Sequence, residues 1–302
     1  MRKKFTAALL VSAMAAMMVT GCASGSGSKE TTAAETTAAD TAAESGADGT
    51  EAAGETTAAS KEAGETQYVA PADAVKAAQS DEIHVLDVRE WANYAEGRVA
   101  GSEWCPIFPL EDESLAEQMT AYAEEHLKDG KEIYIICNSG KRGAEKTTKV
   151  LTEAGIDPSL LYTVEGGAKA LGEEKSLTTN RAEEAIDWQY VTGKEAVEAL
   201  GSEDVQFLDV RDTETYAAGH LPQSMNVGLK EIEDPAAQSE MYELASTELD
   251  AEKPVYILCY SGNKCAKTAI SVMKDAGFDP ANLFIIENGA KDADVEAAFV
   301  TE

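Results

Sequence analysis

Ile133-Tyr134-Ile135-Ile136-Cys137-Asn138-Ser139-Gly140-Lys141-Arg142-Gly143-Ala144 decides how this chain is read. Four apolar residues run into a cysteine, then a short polar loop around a glycine, then the start of a helix. A strand entering a helix through such a loop turns successive backbone N–H groups toward one point. The positive end of the helix dipole lies behind them. A thiol at the start of the loop is therefore expected to be held as a thiolate and to act as a nucleophile. Lys141 and Arg142 add positive charge, which suits small anionic substrates.

The construction returns as Val255-Tyr256-Ile257-Leu258-Cys259-Tyr260-Ser261-Gly262-Asn263-Lys264-Cys265-Ala266, 122 positions on. The same spacing relates Tyr68-Val69 to Tyr190-Val191 and Leu86-Asp87-Val88-Arg89 to Leu208-Asp209-Val210-Arg211. It also relates Tyr94 and Gly97 to Tyr216 and Gly219, and Gly155-Ile156-Asp157-Pro158 to Gly277-Phe278-Asp279-Pro280. Glu165, Gly167 and Lys169 pair with Glu287, Gly289 and Lys291 without a gap. The chain therefore carries two copies of one domain, over 67–180 and 188–302. A period this long means tandem globular domains, since solenoid repeats run about 20–50 residues.

Within the first copy the pattern alternates between helix and strand. It predicts a helix over 71–79 with Pro71 in its first turn, a strand over 83–88 and a short helix over 90–94. A strand follows near Trp104-Cys105-Pro106-Ile107, then a longer helix over 114–127 with Ser114 as N-cap and Glu117 completing a capping box. A central strand over 133–136, a helix over 143–154 stopped at Gly155 and a last strand over 160–164 complete the unit. Alternation of this kind implies an α/β domain with a mostly parallel sheet flanked by helices. Its ligands are expected beyond the carboxyl ends of the strands, where Cys137 and Cys259 fall.

The two copies occupy only part of the 302 residues. Met1 to Gly21 opens with Arg2, Lys3 and Lys4 and continues as an apolar run to Val19. That run is shorter than the roughly 20 residues a bilayer span requires. It ends in Val19-Thr20-Gly21-Cys22, which resembles the lipobox of bacterial lipoprotein signal peptides. The resemblance implies cleavage before Cys22 and a diacylglycerol on its thiol; a plain secretory leader or a short anchor is the alternative. Residues 22–66 are Ala, Thr, Glu, Gly and Ser with almost no large apolar side chain, a composition expected to form a disordered tether. An O-glycosylated stalk would share that composition. The chain is thus expected to be extracytoplasmic, held at a bacterial membrane through its lipid.

The formal charge is −30, from 25 basic and 55 acidic residues, which argues against nucleic acid or an anionic membrane surface as partner. Five cysteines in a chain this long do not make a disulfide scaffold. Cys105 has Val227 at its repeat position and reads as packing. His84, His126 and His220 form no metal constellation and no nucleotide loop is present, so no cofactor is expected.

Leu86-Asp87-Val88-Arg89, Tyr94-x-x-Gly97, the loop from Cys137 to Arg142, and Glu165-Gly166-Gly167-Ala168 occur in that order. Leu208-Asp209-Val210-Arg211, Tyr216-x-x-Gly219-His220-Leu221-Pro222, the loop from Cys259 to Lys264, and Glu287-Asn288-Gly289-Ala290 repeat it. In this combination each copy resembles the rhodanese domain, the sulfurtransferase fold, which implies a mostly parallel five-stranded sheet flanked by helices in each copy. The resemblance implies that Cys137 and Cys259 take sulfane sulfur as persulfides. The donor would be a small anion such as thiosulfate and the acceptor a thiol or cyanide. Asn138, Ser139, Gly140, Lys141 and Arg142, with Tyr260, Ser261, Gly262, Asn263 and Lys264, would bind the substrate. Asp87, Arg89, Asp209 and Arg211 would brace the loop. Related phosphatases place five residues between cysteine and arginine, whereas Cys137 and Arg142 have four between them.

Three departures stand out. Lys264 replaces Arg142 and so lacks the bidentate fork. Cys265 stands where the first copy has Gly143, giving the second loop two thiols that either pack, form a disulfide or pass sulfur between them. Arg98-Val99-Ala100 stands where the second copy has His220-Leu221-Pro222. Beside the enzyme reading stand two others: a non-catalytic sulfide- or polysulfide-binding lipoprotein, and a thiol-redox protein working through Cys259 and Cys265.

Overall fold

The computed structural model describes residues 66–301. The expected leader, Cys22 and nearly all of the expected tether lie outside the described residues.

The first domain runs β1 (Gln67–Val69), α1 (Pro71–Ala77), β2 (Ile83–Asp87), α2 (Trp91–Ala95), β3 (Glu103–Trp104), α3 (Glu113–Tyr122), β4 (Glu132–Ile136), α4 (Arg142–Glu153), β5 (Leu161–Val164) and α5 (Gly167–Glu173). The second repeats it as β6 (Gln189–Val191), α6 (Gly193–Glu198), β7 (Gln206–Asp209), α7 (Thr213–Ala218), β8 (Met225–Asn226), α8 (Pro235–Glu248), β9 (Val255–Leu258), α9 (Lys264–Asp275), β10 (Leu283–Ile286) and α10 (Ala293–Ala297). The strand orders are β1-β5-β4-β2-β3 and β6-β10-β9-β7-β8. Every pairing is parallel. The α/β alternation is present, and with it the two five-stranded sheets that the resemblance implied.

The centre of each sheet is apolar on both faces, as a parallel sheet between helix layers requires. In β4 the alternation sends Ile133, Ile135 and Cys137 into a core with Met119, Ala144 and Leu151 from α3 and α4. Ile136 goes the other way, into a core with Ala74, Ala77, Ala168 and Leu171 from α1 and α5. The second domain divides in the same manner, with Ile257 and Cys259 on one face and Leu258 on the other. Corresponding helices begin by different means. α1 has Pro71 in its first turn, whereas α6 carries a capping box between Thr192 and Glu195.

Two local expectations are corrected. Ser114 does not cap α3: Asp112 does, its Oδ1 accepting from the Ser114 backbone N–H at 2.9 Å and hydroxyl at 2.6 Å. The helix therefore starts at Glu113, and it leaves α-geometry after Tyr122 through one wider turn over Ala123–Leu127. The strand near Trp104 is only two residues long, as is its counterpart β8 in the second domain. Cys105 and Ile107 nevertheless continue to donate to the carbonyls of Asp87 and Val88.

The domains are joined through buried polar groups, of which the sequence patterns mark Arg98 alone, as a departure between the copies. Arg181, in the link after α5, donates to Gln238 Oε1 at 2.8 Å, Ser271 Oγ at 3.1 Å and Asp275 Oδ2 at 2.6 Å. Its guanidinium also lies over the rings of Trp91 and Tyr94 from the first domain. Trp91 stacks on Tyr242 at 4.1 Å and donates to Ser239 Oγ. Arg98, wholly buried, is paired with Glu184. Arg98 also forms an antiparallel bridge with Thr178, at the repeat position of the bridge between His220 and Val300. The backbone course survives the change from histidine to arginine.

Candidate active site

Cys137 and Cys259 follow the last residues of β4 and β9, the central strands, and each is 1 % exposed. Both loops turn through a glycine of positive φ, 65° at Gly140 and 64° at Gly262. Both close through matching residues, Lys141 at φ −133°, ψ −120° and Asn263 at φ −143°, ψ −125°. Helices α4 and α9 then begin, so each thiol sits in front of a helix N-terminus as the sequence implied. The Asn263 N–H donates to Cys259 Sγ at 3.3 Å.

The loop is braced by a second loop. After β5 the chain turns through Gly166 and Gly167, and the N–H of Ala168 donates to the Cys137 carbonyl at 2.8 Å. A Cβ on Gly167 would come within 2.2 Å of that carbonyl oxygen and 2.6 Å of the Gly140 nitrogen. Gly289 repeats the arrangement: a Cβ on it would lie 2.2 Å from the Cys259 carbonyl oxygen, with Ala290 as donor. These glycines were visible in the sequence as matched positions but carried no role there.

That bracing had been expected of the Asp–Arg pairs, and this expectation is corrected. Asp87 and Arg89 are buried and bonded to each other, at 2.6 Å between Nη2 and Oδ2. The remaining Arg89 donors reach the carbonyls of Asn93 and Gly97. Asp209 and Arg211 repeat the pair, with Arg211 donating to the carbonyl of Gly219. Through these carbonyls the pairs fix the α2 and α7 turns. Burial pushes the Asp87 carboxyl up from its ordinary value, with the Arg89 charge opposing.

Of the expected binding residues, Ser139, Lys141, Arg142, Ser261, Asn263 and Lys264 are exposed around the two mouths, and Asn138 and Gly262 are half-buried. Gly140 is buried beneath the first loop. No described carboxylate pairs with Lys141, Arg142 or Lys264, so these cations face solvent. Tyr260 differs from expectation: its hydroxyl accepts from the Asp212 N–H at 2.9 Å and donates to the Asp212 carboxylate. That hydroxyl bond holds the Asp212 carboxyl well below the usual carboxylate range. The tyrosine is thus occupied in fixing the start of α7.

Cys105 lies in the first core, and burial pushes its thiol up to about 12, in keeping with packing. His84 is bonded to Glu103 at 2.6 Å and Asp129 at 3.2 Å. The Glu103 hydrogen bond raises its pKa. It lies at the opposite end of β2 from the cysteine loop.

A family model for the Rhodanese-like domain matches residues 70–174 and again 192–293. The chain belongs to the rhodanese-like domain family, of which it carries two tandem members. The chain is 26% identical over 95 residues to a thiosulfate sulfurtransferase GlpE of Pseudomonas savastanoi pv. phaseolicola, covering 32% of this chain and 77% of that one. A thiosulfate sulfurtransferase GlpE of Pseudoalteromonas translucida is 27% identical over 92 residues, 30% of this chain and 77% of its own. Among solved structures, a thiosulfate sulfurtransferase of Pseudomonas aeruginosa matches with TM-score 0.36 and 15% identity, over 78% of this chain and 43% of that one. The 3-mercaptopyruvate sulfotransferase SseA of Escherichia coli matches with TM-score 0.29 and 16% identity, over 74% and 99%.

Proposed function

We propose that the chain is a sulfurtransferase that moves sulfane sulfur from thiosulfate, or a donor of that charge type, to a thiol or cyanide through a cysteine persulfide. The observation that carries this reading is the position of Cys137 beneath a loop rimmed by the unpaired cations Lys141 and Arg142. The Cys137 thiolate attacks the outer sulfur of thiosulfate. The sulfur–sulfur bond breaks and sulfite leaves with the electron pair. The two cations offset the charge of donor and leaving group. An acceptor thiolate or cyanide then removes the outer sulfur and restores Cys137, a two-step covalent cycle with ping-pong kinetics. The likeness to thiosulfate sulfurtransferases supports the choice of donor. The expected leader over residues 1–21, with its lipobox-like run into Cys22, supports an extracytoplasmic, lipid-anchored location, and the formal charge of −30 is unsuited to nucleic acid.

The test is steady-state sulfur transfer from thiosulfate to cyanide by the reduced protein beside Cys137→Ser and Cys259→Ser. Cys137→Ser should lower the rate by at least about a hundredfold, as loss of a covalent nucleophile does. A transfer rate independent of both cysteines, with thiosulfate and mercaptopyruvate alike, would overturn the enzyme reading in favour of sulfide or polysulfide binding.

A further inference from the structure

At one contact beside the nucleophile, both partners have changed between the two sites. In the first domain a Cβ on Gly143 would lie 2.5 and 2.6 Å from two ring carbons of Phe108 and 2.9 Å from the Cβ of Cys137. Position 143 therefore has no room for a side chain while Phe108 is in place. In the second domain Lys230 stands at the position of Phe108, 63% exposed and 3.6 Å from Asp212. The room beside the nucleophile is taken by the half-buried Cys265, packed against the second core. Since the two loops share their backbone angles, Cys265 projects its β-carbon toward that of Cys259 as position 143 would toward Cys137. In the first domain that β-carbon separation would be 2.9 Å, inside the roughly 3.5–4.5 Å of a disulfide, so the two positions are near enough to be bridged. Both thiols are free in this structure.

We propose that the second domain is a dithiol site in which a persulfide on Cys259 is discharged as hydrosulfide by Cys265, leaving a Cys259–Cys265 disulfide. The inference rests on Cys259 accepting sulfane sulfur, as in the function proposed above. The Cys265 sulfur bonds to Cys259 Sγ and the bond from Sγ to the outer sulfur breaks. The outer sulfur departs with the electron pair and takes the Cys265 proton, leaving as HS⁻. The two cysteines are oxidised together, the sulfane sulfur is reduced to sulfide, and an external dithiol resets the pair. Burial, and then the nearby Cys259 charge, push the Cys265 thiol up to about 11, so at neutral pH it carries the proton that the leaving sulfide needs. In the first domain Gly143 supplies no second thiol, and a persulfide on Cys137 waits for an external acceptor. The two copies would then divide the work: one transfers sulfur and the other releases sulfide.

Full-length protein carrying Cys137→Ser is compared with versions that add Cys265→Ser or Cys265→Gly, the latter restoring the first-domain residue. Each is reduced, loaded separately with sodium tetrasulfide or thiosulfate, desalted, alkylated and digested with trypsin. Cleavage after Lys264 separates the two cysteines into different peptides. With Cys265 present, the expected product is a cross-linked pair of peptides joined through residues 259 and 265. Without it, the extra sulfur should remain on Cys259 at least about tenfold longer. Equal persulfide lifetimes with and without Cys265, or a fully alkylatable Cys265, would overturn the proposal. If tetrasulfide gives the cross-link and thiosulfate loads neither cysteine of the unsubstituted protein, the dithiol site stands and the thiosulfate donor falls. If Cys259 takes sulfur from neither source, the dithiol proposal is overturned, while transfer through Cys137 is judged by its own assay.

Discussion

Gly167 and Gly140 hold the first loop in shape by bringing two backbones closer than any side chain permits. Gly167 has φ +59°, and its missing β-carbon is what lets the Cys137 carbonyl reach the Ala168 N–H. Gly167→Ala combines a disfavoured backbone region with a contact of 2.2 Å to a carbonyl oxygen. Strain of this kind costs about 1–3 kcal/mol, and the added clash raises it. The expected outcome is a lower melting temperature together with at least about a tenfold loss of sulfur transfer, since the displaced carbonyl belongs to the nucleophile. Thermal denaturation and the thiosulfate–cyanide assay check it. A variant that is less stable yet fully active would show that the brace serves folding alone. The site cysteines and the surrounding cations were legible as residue types in a repeated pattern. The bracing role of Gly167 was not, because it depends on two segments far apart in sequence meeting at the end of the sheet.

At the scale of elements, most helices and strands follow from local chemistry. Apolar runs make β4 and β9. Gly155 and Gly277, at φ 95° and 92°, stop α4 and α9. Where two capping residues compete within a few positions, the pattern alone does not decide. Asp112 and Ser114 both suit an N-cap, and the Asp112 carboxylate wins by accepting from both the N–H and the hydroxyl of Ser114. Those two bonds hold the Asp112 carboxyl below its ordinary value. Its folded pKa is depressed, so its stabilisation is present above the unfolded pKa and is lost as pH falls through the folded one. Asp112→Ala should therefore lower the melting temperature more than Ser114→Ala at pH 7, and the difference should shrink on titration below pH about 4. Melting curves of both variants at neutral and acid pH decide it. A larger loss from Ser114→Ala at pH 7 would restore the serine cap.

For the whole molecule, the repeat describes two domains but not their union. Arg181 lies between the two matched regions and belongs to neither repeat. It is nevertheless 1% exposed and paired with an Asp275 carboxylate that is 2% exposed. Removing one partner of a buried pair leaves the other charge unpaired, at about 3–5 kcal/mol. Arg181→Met should lower stability by an amount of that order and separate the unfolding of the two domains. Calorimetry should then show two transitions where the unsubstituted protein shows one. Trp91 fluorescence should follow the first-domain transition, since its stacking on Tyr242 spans the same interface. A single transition at an unchanged temperature would exclude Arg181 as the coupling group.

The amino-acid sequence by itself determined the two-copy organisation, the parallel α/β sheets and the place of Cys137 and Cys259 at the ends of central strands. These depend on hydrophobic periodicity, on glycine and proline punctuation and on short loops, all of them local properties that repeat at a fixed spacing. Tertiary structure alone decided which groups touch. It assigned the bracing of the cysteine loop to Gly167 and Gly289 rather than to the Asp–Arg pairs, and the Tyr260 hydroxyl to Asp212 rather than to the mouth of the site. It also brought Arg181 between the domains, and showed that the Phe108 ring leaves position 143 no room for a side chain. These outcomes turn on distances of a few ångströms between residues remote in the chain, where close packing admits one side chain and excludes its neighbour.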